Sequence, residues 1–331
     1  MSKGLKQIQT NVPISDSTVR GTLPTVTVGE SYPAGPISRL QDYSMLFKTR
    51  VTSMVVLTAW AGAFLAASAA HSLTFWIFPK ILLGIGLVSA GAAAINEVME
   101  WQTDARMSRT KDRPVPAGRM SVKHATIVGT AAIVLGCLYL GYATNLLTGL
   151  LAAGTAAAYC FIYTPLKTIT PASTFIGAFP GAMPPLLGWT AVTGQVSWDA
   201  VSLFAILFFW QFPHFLSIAW LYREDYEKGR IRMRPVIDPS GKLTITEILF
   251  YGTALLPISL LPYFLGIGGK IYFAGAVIFG VAYLAFGVRL ALLKLPPTAA
   301  TTKKQARQLL QASITYLPLL MLVLILDRVS R

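Results

Sequence analysis

Residues 73–113 read LTFWIFPKILLGIGLVSAGAAAINEVMEWQTDARMSRTKDR, and this stretch decides the architecture. From 73 to 95 the only charge is Lys80. At about 1.5 Å per residue such a run crosses a hydrocarbon core of about 30 Å. It ends abruptly in Asn96, Glu100 and Asp104, followed by Arg106, Arg109, Lys111 and Arg113. An apolar span running into a charged collar is the pattern of a membrane helix leaving the bilayer. Apolar runs of similar length recur at 51–70, 73–97, 124–143, 146–164, 172–193, 198–222, 244–265, 270–293 and 308–327. The 331 residues are 54% hydrophobic and 13% charged, with mean hydropathy +0.57. Those figures exclude a soluble globular protein, a disordered chain and a coiled coil. Cys137 and Cys160 lie inside apolar runs, where a thiol acts as a small hydrophobe, so there is no disulfide framework. The expectation is an all-α polytopic membrane protein of nine transmembrane helices over residues 46–331. Residues 1–45 are polar, rich in Ser, Thr, Pro and Gly, and hold no signal-peptide core. They are expected to form a disordered cytoplasmic tail.

The net charge of +14 is explained by where the basic residues fall. With alternating spans, all but four of the 28 Lys and Arg lie on one side, the exceptions being Lys80, Lys270, Arg328 and Arg331. The positive-inside rule then puts the N-terminus in the cytoplasm, and nine spans put the C-terminus outside. Nucleic acid is not needed as a partner; membrane lipid is. The uncleaved chain and lack of a transit peptide point to a bacterial plasma (inner) membrane.

Two cytoplasmic segments are long, 96–123 and 222–243, and are expected to form the mouth of a site. They hold eight of the 14 carboxylates: Glu97, Glu100, Asp104, Asp112, Glu224, Asp225, Glu227 and Asp238. Topology does not require that concentration, because acidic residues barely affect orientation. Asn96, Glu100 and Asp104 are spaced i, i+4, i+8 and line one helical stripe. Like charges at that spacing repel; a divalent cation between them reverses the sign. Oxygen donors suit Mg2+, which binds through one or two carboxylates plus substrate phosphates. The neighbouring Arg109 and Arg113 match phosphate geometry. Asp225, at the end of another span, supplies a second acidic arm. The plainer alternatives are solvated helix ends carrying topogenic charge.

Two spans carry helix-disturbing residues. Residues 177–189 hold Pro180, Pro184 and Pro185 with Gly177, Gly181 and Gly188, a combination expected to kink or unwind the helix. The next span contains Trp210, Gln211, Pro213 and His214. Polar groups at mid-span are costly against lipid. His214 lies 11 residues before Asp225, about 16 Å along the axis and about 20° from three full turns. It is therefore expected to look into the same cavity, deeper in the bilayer; an interhelical hydrogen bond is the alternative. The composite picture is a cytoplasm-facing cavity with a metal–diphosphate mouth and an apolar floor. A diphosphate with a long apolar tail fits it.

The Asn96-x3-Glu100-x3-Asp104 pattern resembles the first acidic motif of the UbiA-type intramembrane prenyltransferases. Residues 107–119 (MSRTKDRPVPAGR), 163–167 (YTPLK), 177–189 (GAFPGAMPPLLGW), 210–215 (WQFPHF) and 223–226 (REDY) with Met233 resemble one branch, the protoheme IX farnesyltransferases or heme O synthases. The blocks appear in the family's order from about residue 42 onward. The resemblance implies the nine-helix fold of that family. It also implies farnesyl transfer from farnesyl diphosphate to a vinyl group of protoheme IX with addition of water. Carried onto this chain, Asn96, Glu100, Asp104 and Asp225 hold Mg2+–diphosphate, and Arg109, Arg113 and Lys167 contact diphosphate. Tyr163, Tyr222 and Trp210 line the substrate site, and His214 orients or ligates the heme. Implied partners are protoheme IX, farnesyl diphosphate, and heme A synthase or terminal oxidase assembly factors downstream. The chain departs from the pattern at Glu100 (Asp expected), at Arg234 before Pro235 (Leu expected) and at Thr49 (Pro expected). Other readings are a related enzyme with another acceptor, such as 4-hydroxybenzoate or a chlorin, and a transporter without chemistry.

Overall fold

The computed structural model describes residues 36–69 and 75–330. Most of the expected tail, and the first outer connection, lie outside the described residues. Residues 36–45, expected to belong to the disordered tail, instead lie in a helix, α1 (Pro36–Leu46). It is held because Leu46 is fully buried among Ala94, Val115 and Ala125.

Nine helices among the described residues are long and apolar enough to cross a membrane. They are α2 (Thr49–Ala69), α3 (Ile77–Asp104), α4 (Val122–Ala143), α5 (Leu146–Leu166), α6 (Ser173–Thr193) and α7 (Trp198–Leu221), then, after two short helices α8 (Arg223–Lys228) and α9 (Arg234–Ile237), α10 (Lys242–Phe264), α11 (Lys270–Leu292) and α12 (Ala300–Val329). Consecutive spans pack side by side, and α12 returns to α2, which closes a ring. Cross-packing of α2 on α6 and of α7 on α12 fills the interior. One core joins α2–α6 around Ile85, Leu140 and Leu187; the other joins α6, α7 and α10–α12 around Leu203, Leu216 and Tyr272.

Of the expected kinking or unwinding of α6, the unwinding is corrected by the structure: the helix continues from Ser173 to Thr193 through its three prolines. Its glycines set how closely it packs. A Cβ on Gly188 would lie 1.8 Å from the Ala59 carbonyl oxygen, and one on Gly62 would lie 2.1 Å from that of Pro185. The two backbones therefore touch, and small residues permit that approach in a bilayer where no hydrophobic force drives helices together. The mid-span Gln211 fits opposite Gly181 and donates to the Ala178 and Leu207 carbonyls, so its amide is satisfied. The irregularity sits in α5 instead, as a π-helical turn over Ala158–Tyr163. Such turns appear often at functional sites, and this one leads into Tyr163 and Lys167.

Candidate active site

The stripe on α3 is where the sequence places it, and each of its rungs meets a cation. Lys48 Nζ donates to Asn96 Oδ1 at 2.5 Å. Lys167 Nζ stands 2.8 Å from Glu100 Oε1. Arg113 Nη1 stands 2.5 Å from Asp104 Oδ2. The three cations come from three places: the turn before α2, the end of α5 and the loop after α3. Asn96 also donates to Thr164 Oγ1 at 3.1 Å, tying α3 to the turn that delivers Lys167. The Lys167 ammonium lies 4.5 Å from the Tyr163 ring centroid, within cation–π reach.

The loop after α3 folds back on its own helix. Thr110 Oγ1 donates to the Asp104 carbonyl, and the Val115 amide donates to Glu97 Oε1. Glu97 is fully buried, so this bond fixes the loop two residues after Arg113.

The second segment meets the first. The Ser108 hydroxyl and amide donate to Asp225 Oδ1, and the Arg109 amide donates to Oδ2 at 3.1 Å. Arg109 Nη2 donates to the Tyr226 hydroxyl, and its guanidinium lies 5.4 Å from both the Tyr222 and Tyr226 rings. Behind them, the Arg232 amide donates to the Lys167 carbonyl at 2.8 Å. Arg234, the departure from the family pattern, pairs with Glu247 on α10. Lys303 of α12 pairs with Glu224.

Electrostatics follow from this packing. Burial first, then the like charge of Arg113, lowers the Lys48 ammonium to about 8. Burial opposes the charge on Lys167, but Tyr163 and Glu100 outweigh it and hold the group protonated. The Ser108 hydroxyl, with the Arg109 and Ser108 amides, holds the Asp225 carboxyl below the usual carboxylate range.

Among the sequence-predicted residues, Asn96, Glu100, Asp104, Arg113, Lys167 and Tyr163 come together in one cluster. Asp225, Arg109 and Tyr222 form its neighbour across the loop. His214 and Trp210 stand elsewhere: His214 Nδ1 is 2.8 Å from Ser313 Oγ of α12, and the imidazole stacks on Trp210, whose Nε1 donates to the Ser313 carbonyl. The interhelical bond is thus made, and among the described residues His214 contacts Ser313, Trp210 and Phe215 rather than the acidic cluster. Sequence reasoning missed Lys48, Ser108 and Tyr226. Lys48 looked like topogenic charge; its place just before the first span was the only signal.

Among the described residues no group of three or more His, Cys, Asp or Glu stands together as a metal site. The stripe offers a different set, one amide oxygen and two carboxylates. That set fits Mg2+, which takes few protein oxygens and leaves the rest to water and phosphate. The cations now on the rungs are the groups a diphosphate would draw away.

Comparison with known proteins identifies the family and the fold. Residues 55–325 match the model of the UbiA prenyltransferase family. A protoheme IX farnesyltransferase of Koribacter versatilis is 53% identical over 295 residues, covering 89% of this chain and 95% of that one. One from Solibacter usitatus is 41% identical, covering 87% and 99%. In fold, the chain is similar to a UbiA homolog from Archaeoglobus fulgidus bound to DMAPP and Mg2+, with TM-score 0.60, 14% identity and coverage of 84% and 99%. The chain is an integral membrane protein that belongs to the UbiA prenyltransferase family.

Proposed function

We propose that this chain is a protoheme IX farnesyltransferase: it joins the farnesyl group of farnesyl diphosphate to a vinyl group of protoheme IX, with addition of water, giving heme O and diphosphate. The observation that carries the reading is the ladder of Asn96, Glu100 and Asp104, each rung facing a cation, with Asp225 latched beside it. The names of the relatives from Koribacter versatilis and Solibacter usitatus support the same reaction.

In this reading Asn96, Glu100 and Asp104 hold Mg2+–diphosphate, with Asp225 as the arm from the second segment. Bound Mg2+ neutralises charge growing on the leaving diphosphate. Arg109, Arg113 and Lys167 bind the diphosphate oxygens and share that neutralisation. Departure leaves an allylic cation at the farnesyl C1. The aromatic faces of Tyr163 and Tyr222 shield it. The vinyl carbon of the porphyrin then forms the new C–C bond, and water supplies the hydroxyl while releasing a proton. His214 orients or ligates the heme iron. An imidazole fixed through one nitrogen leaves the other for metal.

The charge pattern supports a cytoplasmic N-terminus, a cytoplasm-facing site and an external C-terminus in a bacterial plasma membrane. Heme A synthase or terminal oxidase assembly factors would take the product onward. Mass spectrometry of hemes in cells with and without the chain tests the reaction. Appearance of heme O only with the chain is the expected result. Farnesylated 4-hydroxybenzoate with no heme O would assign another acceptor.

A further inference from the structure

The site on α3 draws on bases from the first part of the chain. The last third keeps a separate set at the same end of the bundle. Between residues 239 and 326 the only carboxylate is Glu247, and it is paired with Arg234. Lys242, Arg289 and Lys294 fall in that stretch. All three are exposed, and among the described residues none makes an ion pair. Other exposed bases on this rim differ: Arg106, Lys111 and Lys228 stand within two residues of Asp104, Asp112 and Glu227 along the chain. The corner made by α10 and α11 is thus positive with no free carboxylate of its own.

Packing brings the three bases to that corner. A Cβ on Gly287 would lie 3.3 Å from Ile248 Cγ2, so the last turns of α11 run against the first turns of α10. A Cβ on Gly241 would lie 3.2 Å from Pro297 Cδ, so the start of α10 abuts the turn that follows Lys294. From the shared level of Ile248 and Gly287, Lys242 stands about 9 Å further along α10, and the end of α11 at Leu292 about 8 Å further along that helix. The bases therefore share one layer. Outward-facing aliphatic side chains alternate with them: Leu243, Val288, Leu292 and Leu295 are all exposed. Arg289 lies in the last turn of α11, its guanidinium 5.5 Å from the Phe286 ring centroid. Charged heads above exposed aliphatic groups are how Lys and Arg sit at a lipid boundary. An arginine still within a span needs an anion or water there.

We infer that this corner is a docking site for an anionic phospholipid, with Lys242, Arg289 and Lys294 on the headgroup phosphate and Leu243, Val288 and Leu292 against its acyl chains. The Arg289 guanidinium matches phosphate oxygens in bidentate fashion, and the two ammonium groups add point charge. A soluble anion would use the bases and leave the leucines idle; a lipid uses both. The anionic lipids of a cytoplasmic leaflet are the complementary surface. The site is distinct from the ladder on α3 and does not depend on which acceptor is prenylated.

The test uses the purified full-length chain in detergent, titrated with phosphatidylglycerol or with phosphatidylcholine of the same chains, bound lipid being counted by native mass spectrometry. Each base near an anionic headgroup is worth about fivefold in binding. The wild type is expected to prefer phosphatidylglycerol, and Lys242→Gln/Arg289→Gln/Lys294→Gln to lose that preference by at least about fivefold. The same neutralisation of three exposed bases elsewhere, Arg39→Gln/Arg106→Gln/Lys123→Gln, is the control and should retain it. Raising salt should weaken the preference in the wild type, as expected of an exposed charge contact. Photoactivatable phosphatidylglycerol on the wild type in phosphatidylcholine vesicles gives an arm independent of any variant's folding: crosslinks should map to the start of α10 and the end of α11. Equal binding of the two lipids, equal loss in the control, or crosslinks spread around the bundle overturns the inference. Full displacement of the lipid by glycerol phosphate, which carries the phosphate without chains, also overturns it and leaves a soluble-phosphate site.

Discussion

At the residue scale, the chemistry rests on which cation faces which carboxylate. Asp104 is 1% exposed and paired with Arg113. Removing one partner of such a pair leaves the other charge buried and uncompensated. Asp104→Ala is expected to lower the rate of heme farnesylation by about a hundredfold or more, the scale of losing an electrostatic group at the reacting centre. Steady-state assay in membranes checks it, and near wild-type turnover would remove Asp104 from the site. His214 carries a separate expectation. His214→Ala should abolish the imidazole-ligated spectrum of heme added to the purified chain, and Ser313→Ala, which only frees the ring, should broaden it. The sequence showed the stripe because helical spacing alone puts positions 96, 100 and 104 on one face. It could not show Lys48, because the turn that turns its side chain onto Asn96 depends on α1 docking against Ala94 and Val115. Nor could it show Ser108 and Arg109 gripping Asp225 with backbone amides, since amides carry no residue identity.

At the element scale, hydropathy located the spans but not their contacts. The α6 prolines were expected to kink or unwind the helix; it does not unwind, and Gly188 and Gly62 let its backbone meet that of α2. Gly188→Ala is expected to destabilise the chain by about 1–3 kcal/mol or more, because its Cβ would meet the Ala59 backbone. Gly154→Ala, which meets nothing within 4 Å, is the control and should be neutral or slightly stabilising. Thermal melting in detergent distinguishes them, and equal effects would contradict the packing assigned to α2 and α6. The start of α10 gives a pH expectation. Asp238, 4% exposed, accepts from the Thr244 amide and hydroxyl and from Ser240. Burial alone would raise its carboxyl, but these bonds outweigh it and hold it below the ordinary value. A depressed carboxyl adds stability above its unfolded pKa, and that stability is lost as pH falls through the folded value. Asp238→Asn should therefore cost about 1–2 kcal/mol near neutral pH, with wild type and variant converging in acid. A difference that persists unchanged to low pH would contradict this.

At the scale of the whole molecule, the nine spans among the described residues form a ring that brings two charged segments, far apart in sequence, into contact on one side. The number of spans and their approximate limits were legible because burial in lipid demands long apolar runs. The meeting of Asp225 with Ser108 and Arg109 was legible only as a shared membrane side. The expected topology has Lys80 and Lys270 outside with the C-terminus, and the segments 96–123 and 222–243 inside. Cysteines introduced singly at positions 111 and 270 should react with a membrane-impermeant maleimide only from inside and only from outside, respectively. The central claim is that the two segments grip one Mg2+-bound diphosphate during prenyl transfer. It is tested most directly by incubating the purified chain with farnesyl diphosphate, heme b and Mg2+ and measuring heme O by mass spectrometry, alongside Asp104→Ala, Asp225→Ala and excess chelator. Heme O from the wild type, and its loss in both variants and with chelator, is the expected result. Full turnover in either variant or in the absence of free divalent cation would contradict the account.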